Sequence, residues 1–202
     1  MDVTERVDSC LSAALLTGTE AAHEAWAATG RPGLLLLRAY LAGTWDPPPS
    51  PGVHERDVLD NTAAAVAAIA AANPDSFLDV FEGDAFAANS FVLDGLGQID
   101  DPRATDRLAR ATASRDWGTR MHAAIGLGRR RSPLATGTLG RLLDDEEDLV
   151  RFHALRSLAR IGDAAVLPLV RGMTPRSNHE SELIDEAVAA IVARANSSMP
   201  SG

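Results

Sequence analysis

The chain has 202 residues, of which 46% are hydrophobic and 4% aromatic, and its formal net charge is −9. The apolar fraction excludes a disordered chain, and the length allows one large core or two small ones. A single cysteine, Cys10, excludes an internal disulfide and a multi-cysteine metal site, which favours a reducing, cytoplasmic location. The longest apolar run, residues 63–72, is about half of the roughly 20 residues that cross a bilayer.

The composition favours an all-α fold. Alanine, the best helix former, is the most frequent residue, and no segment alternates β-branched and polar residues. All 19 basic residues are arginine. The lack of lysine excludes a Schiff-base lysine and a phosphate-binding P-loop lysine.

The first 61 residues are predicted to form a helical N-terminal cap. Helices are expected over residues 3–16, 20–28 and 32–42, separated by glycine-containing breaks. A proline-rich loop follows over residues 43–55, because consecutive prolines end a helix. About 45 helical residues make a marginal core alone, so this cap is predicted to pack on the first repeat.

Three segments that begin near residues 90, 120 and 151 repeat with a period of 31 residues, and a more degenerate unit precedes them from residue 62. Each repeat has a first helix with apolar residues at i, i+3 and i+4, a break, and a second helix. Ser132 and Asp163 lie where helix N-caps are required. The predicted repeats are residues 62–89, which is degenerate, 90–119, 120–150 and 151–181. A capping helix over 182–195 and a disordered tail over 196–202 complete the chain.

The segment 153–163, His-Ala-Leu-Arg-Ser-Leu-Ala-Arg-Ile-Gly-Asp, followed by Ala164 and Leu169, resembles a HEAT-like repeat of the subgroup named after the phycobilisome lyases. The resemblance covers residues 90–173 well and 62–89 loosely. It implies a right-handed α-solenoid of helical hairpins in the armadillo-type superfamily. Most such proteins are interaction scaffolds, and a minority are lyases, chromophore chaperones or DNA glycosylases.

Repeat phase places arginines at equivalent positions on successive second helices: Arg110, Arg141 and Arg171, with Arg107 nearby. The resemblance places second helices on the concave face. Packed helices lie roughly 10 Å apart, so these side chains are predicted to form a row that suits carboxylates or phosphates. Residues 1–90 carry 13 acidic residues and 4 arginines, whereas residues 91–202 carry 15 of each, so the negative charge lies at the N-terminal end.

Two further arginine series are predicted to be structural. Arg120 and Arg151 begin first helices four residues after Asp116 and Glu147, a spacing that predicts ion pairs in a ladder along the repeats. The other series lies near the C-terminal ends of first helices, where positive charge favours the helix dipole. Its members are Gln98, Arg129 and Arg160.

Two tryptophans in predicted loops, Trp45 and Trp117, are candidate contact residues, while Trp26 and Tyr40 are assigned to the core. The five histidines form no metal-ligand motif, and one repeat separates the equivalent His122 and His153. Neither a metal nor a cofactor is therefore expected.

The sequence favours a non-enzymatic scaffold that binds a protein or peptide with acidic groups along its concave face. The alternatives are a lyase-like or tailoring enzyme, or a chaperone, that binds a small molecule in the concave groove. A DNA glycosylase is less favoured, because a net charge of −9 without lysine opposes phosphate binding. No catalytic residue is identified.

Overall fold

A computed structural model of the protein describes residues 3–48, 52–130 and 132–197, and all regular secondary structure within those ranges is helical. The α-helices are α1 (Val3–Thr17), α2 (Glu20–Ala27), α3 (Arg31–Leu41), α4 (Glu55–Ala72), α5 (Pro74–Val80), α6 (Ser90–Leu96), α7 (Pro102–Ala111), α8 (Trp117–Leu127), α9 (Pro133–Arg141), α10 (Asp148–Ile161), α11 (Leu167–Arg171) and α12 (Asn178–Ser197). Short 3-10 turns cover Asp84–Phe86, Leu142–Asp144 and Ala164–Val166. None of the described helices combines the length and apolarity that a membrane span needs.

The chain divides into two compact units, Met1–Asp101 and Pro102–Gly202. The first unit contains α1 to α6 and the second contains α7 to α12. The three helices predicted before residue 43 are α1 to α3, with ends shifted by at most one residue. The predicted boundary between cap and repeats, at residues 61 and 62, falls inside α4.

The first unit is organised around α4, which packs against α1, α2 and α6. Its small buried residues let these helices approach closely, and larger side chains fill the remaining space. Trp26 on α2 is fully buried, as predicted. Phe77 on α5 and Phe81, the residue that follows α5, are also fully buried, with ring centroids 4.7 Å apart.

Asn61 on α4 and Asn73, the residue that follows α4, bind the ends of the neighbouring helices. Asn61 Nδ2 donates to the carbonyl oxygen of Leu15 at 2.9 Å, near the end of α1. Asn73 Nδ2 donates to the carbonyl oxygen of Ala27 at 2.8 Å, at the end of α2. The last carbonyl groups of a helix have no hydrogen-bond partner within that helix, and these asparagines supply one. The two bonds also set the position of α4 along α1 and α2.

Arg38 on α3 plays the same part for α5. Its guanidinium group donates to the carbonyl oxygen of Val80, the last residue of α5, and lies 5.1 Å from the centroid of the Phe86 ring. The carbonyl bond and the cation–π contact together tie α3 to the end of α5 and to the 3-10 turn that follows it.

The second unit has two layers of helices. First helices α8, α10 and α12 pack side by side, and second helices α7 and α9 pack together in the other layer. The 3-10 turn before α11 also packs against α9. The predicted caps are confirmed, because Ser132 Oγ accepts from the Ala135 amide and Asp163 Oδ1 accepts from the Ala165 amide. The described helices and their repeat pattern form an α-solenoid.

The last helix, α12, begins four residues before the predicted start. Ser177 Oγ accepts from the amide of Glu180, and Glu180 Oε2 accepts from the amide of Arg176. This Ser-x-x-Glu arrangement resembles a capping box and starts the helix early. At its other end α12 continues through Ser197, two residues into the predicted tail, and residues 198–202 of that tail lie outside the described residues.

A close approach between first helices gives a stability prediction. A Cβ atom added at Gly128, the C-cap of α8, would lie 2.5 Å from Ser157 Cβ on α10, whereas one added at Gly137, exposed within α9, meets nothing within 4 Å. Gly128→Ala is expected to lower the free energy of unfolding by about 1–3 kcal/mol, because the two helices must separate. Gly137→Ala is expected to raise it by about 0.5–1 kcal/mol through helix propensity. Urea unfolding of the two variants measures both effects, and equal changes would contradict the close packing.

Candidate functional site

The three arginines of the predicted row lie at equivalent places on the second helices. Arg110, Arg141 and Arg171 each occupy the last turn of their helix, α7, α9 and α11, and all three are exposed. Arg141 Nη2 donates to Thr138 Oγ1 at 3.0 Å, which holds that side chain against its own helix. Within the described ranges no carboxylate forms an ion pair with any of the three. Arg107, one turn earlier on α7, is half-buried.

Close packing brings these second helices together. A Cβ atom added at Gly140 on α9 would lie 2.9 Å from Leu169 Cδ1 on α11, so the missing side chain admits α11. α9 also packs against α7. The three helices that carry the arginines are therefore neighbours within one layer.

The two units differ strongly in charge. Residues 1–101 contain 16 acidic residues and 4 arginines, a net charge of −12, whereas residues 102–202 contain 12 acidic residues and 15 arginines, a net charge of +3. The difference in net charge between the two units is therefore larger than the difference between residues 1–90 and residues 91–202. The row belongs entirely to the positively charged unit.

The predicted ion-pair partners of Arg120 and Arg151 are wrong, although both arginines do connect successive first helices. Asp116 accepts from the amide and hydroxyl of Thr119, each at 2.7 Å, and so serves as the N-cap of α8. These two bonds lower the pKa of Asp116 below its ordinary value. Glu147 occupies the N-cap position of α10.

Arg120 on α8 is bound by the turn that precedes the next first helix, α10. Its Nε and Nη2 donate to the two carboxylate oxygens of Asp145 at 2.7 and 2.8 Å, and both side chains are more than nine-tenths buried. Nη1 donates to the carbonyl oxygens of Ser114 and Arg115. The hydrogen bond to Asp145 raises the pKa of Arg120. Burial alone would raise the pKa of Asp145, but the bonds from Arg120 and from the Glu147 amide lower it overall.

Arg151 repeats this arrangement one repeat later. Its Nε donates to Glu180 Oε1 at 2.8 Å, and its Nη1 donates to the carbonyl oxygens of Asp145 and Glu146. Those carbonyls lie six and five residues before the arginine, as do the two that Arg120 contacts. Both arginines therefore join the turn before their own helix to an acid at or just before the start of the next first helix, α10 for Arg120 and α12 for Arg151. We call the Arg120–Asp145 and Arg151–Glu180 pairs the buried arginine ladder.

A second set of arginines acts at the opposite ends of the first helices. Arg160 on α10 donates from Nε to the carbonyl oxygen of Gly128 at 2.9 Å, at the end of α8. Arg194 on α12 donates to the carbonyl oxygens of Gly162 and Ala159, at the end of α10. Arg160 lies in the last turn of α10, as predicted, and it also caps the preceding first helix. The sequence signal for this set is the equal spacing of 32 residues between donor and acceptor.

The two candidate contact tryptophans differ in exposure. Trp45 is half-buried and lies edge-on against Tyr40, with ring centroids 6.3 Å apart. Tyr40, assigned to the core, is also half-buried, and its hydroxyl lies 3.3 Å from Thr62 Oγ1. Trp117, the first residue of α8, is 43% exposed. Of the two, Trp117 offers more surface to a partner.

His122 and His153 lie on adjacent first helices. Burial lowers the pKa of His153, and the charges of Arg156 and His122 lower it further. In the part of the chain that the structure describes, no three His, Cys, Asp or Glu side chains are grouped as metal ligands.

Comparison with known proteins identifies the repeats. The family model for HEAT repeats matches residues 74–148 and 108–192, which together span more than half of the chain. Among solved structures, the chain is similar to an engineered protein from the Northeast Structural Genomics Consortium, with a TM-score of 0.53 and 16% sequence identity over 96% of this chain and 92% of that one. At this identity the likeness shows the fold alone. No curated protein matches the sequence.

The ladder gives a stability prediction with a matched control. Asp145→Ala leaves the Arg120 guanidinium buried without its carboxylate, and we expect it to lower the free energy of unfolding by about 3–5 kcal/mol. Asp144→Ala, at the exposed neighbouring position, is expected to change it by less than about 0.5 kcal/mol. Urea unfolding at pH 7 tests the pair, and similar values for the two variants would contradict the ladder.

His153 predicts a pH dependence. Its pKa is lowered in the folded protein, so the unfolded chain binds more protons once the pH falls below about 6.5, and the free energy of unfolding decreases there. His153→Gln is expected to remove this part of the pH dependence. Thermal unfolding between about pH 7.5 and 5 compares the two proteins. An identical slope in both would show that His153 does not contribute.

Proposed function

Because the chain belongs to the HEAT-repeat family, we propose that its second unit is a non-enzymatic binding module that holds an acidic protein segment along the face formed by α7, α9 and α11. HEAT repeats commonly mediate protein interactions. The observation that carries the proposal is the exposure of Arg110, Arg141 and Arg171 at equivalent ends of successive second helices. An exposed guanidinium group forms strong hydrogen bonds with carboxylates, in many cases bidentate ones.

The charges around the row favour a peptide over a nucleic acid. Exposed carboxylates stand close to the row in sequence, with Asp106 one turn before Arg110 and Asp144 three residues after Arg141. A continuous phosphate backbone would meet these carboxylates as well as the arginines, which reduces its attraction. A peptide can place its acidic side chains opposite the arginines alone.

The spacing of the row specifies the peptide. Neighbouring packed helices lie about 8–10 Å apart, so successive guanidinium groups are separated by roughly that distance. A polyproline II segment rises about 3.1 Å per residue and has three residues per turn, so every third side chain lies on one face about 9 Å from the next. An extended segment with an acidic residue at every third position therefore fits the row.

A peptide titration tests this function. A fluorescein-labelled peptide with three Glu-Pro-Pro triplets is expected to bind the full chain, with an affinity that falls as salt is added. A peptide of the same composition with its three glutamates adjacent should bind more weakly. Adjacent side chains of a polyproline II segment point to different faces, so only one of the three glutamates can face the arginine row. Fluorescence anisotropy measures both affinities.

Charge reversal provides the matched control. The variant Arg110→Glu, Arg141→Glu, Arg171→Glu is expected to lose at least about tenfold in affinity, roughly 1.4 kcal/mol. The variant Arg6→Glu, Arg56→Glu, Arg115→Glu changes three exposed arginines elsewhere by the same charge and should keep most of the affinity. Equal losses in the two variants would show a general charge effect, and no loss in the first would overturn the proposed row.

A further inference from the structure

A cleft of about 400 Å³ opens in the layer of first helices, away from the arginine row. It is formed by the start of α10, the start of α12 and the turn that precedes α12. Its lining residues are Asp148, Leu149, Arg151, Phe152, Arg176, Ser177, His179, Glu180 and Leu183. We call it the α10–α12 cleft. Its volume lies at the lower end of the range for binding pockets in proteins, about 300–1,000 Å³.

The ionic groups inside the cleft are already bound to each other. Arg151 is 2% exposed, and its guanidinium group donates to Glu180, to Asp148 and to two carbonyl oxygens of the preceding turn. Glu180 also accepts from the amide of Arg176. Arg151 is therefore engaged by acceptors of the protein itself, and the buried Arg151–Glu180 pair serves as the floor of the cleft.

The remaining surface of the cleft is largely apolar. Leu149 is 50% exposed, and Phe152 and Leu183 are partly exposed beside it. The Phe152 ring stacks on the His179 ring with centroids 5.9 Å apart, and the Arg156 guanidinium lies 5.5 Å from the centroid of the Phe152 ring. These contacts fix the ring, so the apolar wall is formed before any partner arrives.

The rim of the cleft is acidic. Glu146, Glu147 and Asp148 are exposed at the start of α10. On α12, Glu182 and Glu186 are exposed three residues after His179 and Leu183, a spacing that places them on the same side of the helix as those two cleft residues. These five exposed carboxylates outnumber the exposed guanidinium groups of Arg156 and Arg176 beside the cleft. Asp148 is bound to Arg151 and Glu146 lies 3.6 Å from Arg120, so Glu147, Glu182 and Glu186 carry most of the acidic character of the rim. A partner with positive charges complements this rim.

We propose that the α10–α12 cleft binds a basic peptide segment that inserts apolar side chains between Leu149, Phe152 and Leu183 and places lysines or arginines against the acidic rim. This partner differs in charge from the one proposed for the arginine row, and it contacts the other helix layer. The second unit would then hold two different segments at once, which is how a scaffold brings two partners together. The cleft proposal stands whether or not the arginine row binds an acidic peptide.

Three fluorescein-labelled peptides test the site by anisotropy on the full chain. The probe is Lys-Lys-Leu-Lys-Lys-Phe-Lys-Lys, and we expect it to bind saturably. A peptide with serine at both apolar positions keeps the charge, and one with glutamate at every lysine position keeps the apolar residues. Both should bind at least about tenfold more weakly. Equal binding of the serine peptide would show that acidic surface charge alone attracts the probe, and would overturn the proposal.

The variant Leu149→Ser is expected to weaken binding of the probe at least fivefold, roughly 1 kcal/mol. Leu35→Ser is the matched control, because Leu35 is 52% exposed in the first unit and lies far from the cleft in sequence. Both positions are exposed, so thermal unfolding should show folded proteins. An unchanged affinity in Leu149→Ser, or no saturable binding of the probe up to about 1 mM, would overturn the cleft as a docking site. The triple Arg→Glu variant of the row should bind this probe at least as well as the original chain, which separates the two proposals.

Discussion

The second unit depends on two buried guanidinium groups, each neutralised by a carboxylate at or just before the start of the next first helix. An alanine-rich helix surface is smooth, so apolar packing alone allows neighbouring helices to slide along or rotate against each other. The bidentate contact of Arg120 with Asp145, and the contact of Arg151 with Glu180, are directional and tolerate little displacement. A buried charge that loses its partner is costly, so any other register is disfavoured. We infer that the buried arginine ladder sets the register of the stack.

Side-chain donors at the opposite helix ends also hold neighbouring helices in register. Arg160 and Arg194 each bind the terminal carbonyls of the preceding first helix, and in the first unit Asn61, Asn73 and Arg38 bind the ends of α1, α2 and α5. The last carbonyls of a helix need partners, and a neighbouring helix that supplies them is fixed along its length. Both surfaces proposed to bind partners rely on this register. The arginine row needs its second helices aligned, and the cleft has the Arg151–Glu180 pair as its floor.

Much of the fold could be predicted from the sequence because it is encoded locally. The 31-residue period, the apolar spacing and the caps at Ser132 and Asp163 are properties of short segments, and they fixed the helices of the repeats. The ion-pair partners could not be predicted in this way. Spacing of four residues identifies neighbours on one helix, whereas Asp145 reaches Arg120 across 25 residues through the stacking itself. Asp116 does not pair with Arg120 because its carboxylate caps the N-terminus of α8. The cleft could not be predicted either. One of its walls is the first turn of α12, which begins four residues before the predicted start.

A double-mutant cycle for Arg120 and Asp145 tests the central claim most directly. Arg120→Met, Asp145→Ala and the combination of the two, followed by urea unfolding, give the coupling energy of the pair. We expect a coupling of at least about 2 kcal/mol, because the double variant removes both buried charges together. The parallel cycle for Arg120 and Asp116 should give less than about 0.5 kcal/mol. A coupling near zero for Arg120 and Asp145, or a larger one for Arg120 and Asp116, would contradict the ladder as the interaction that holds the repeats in register.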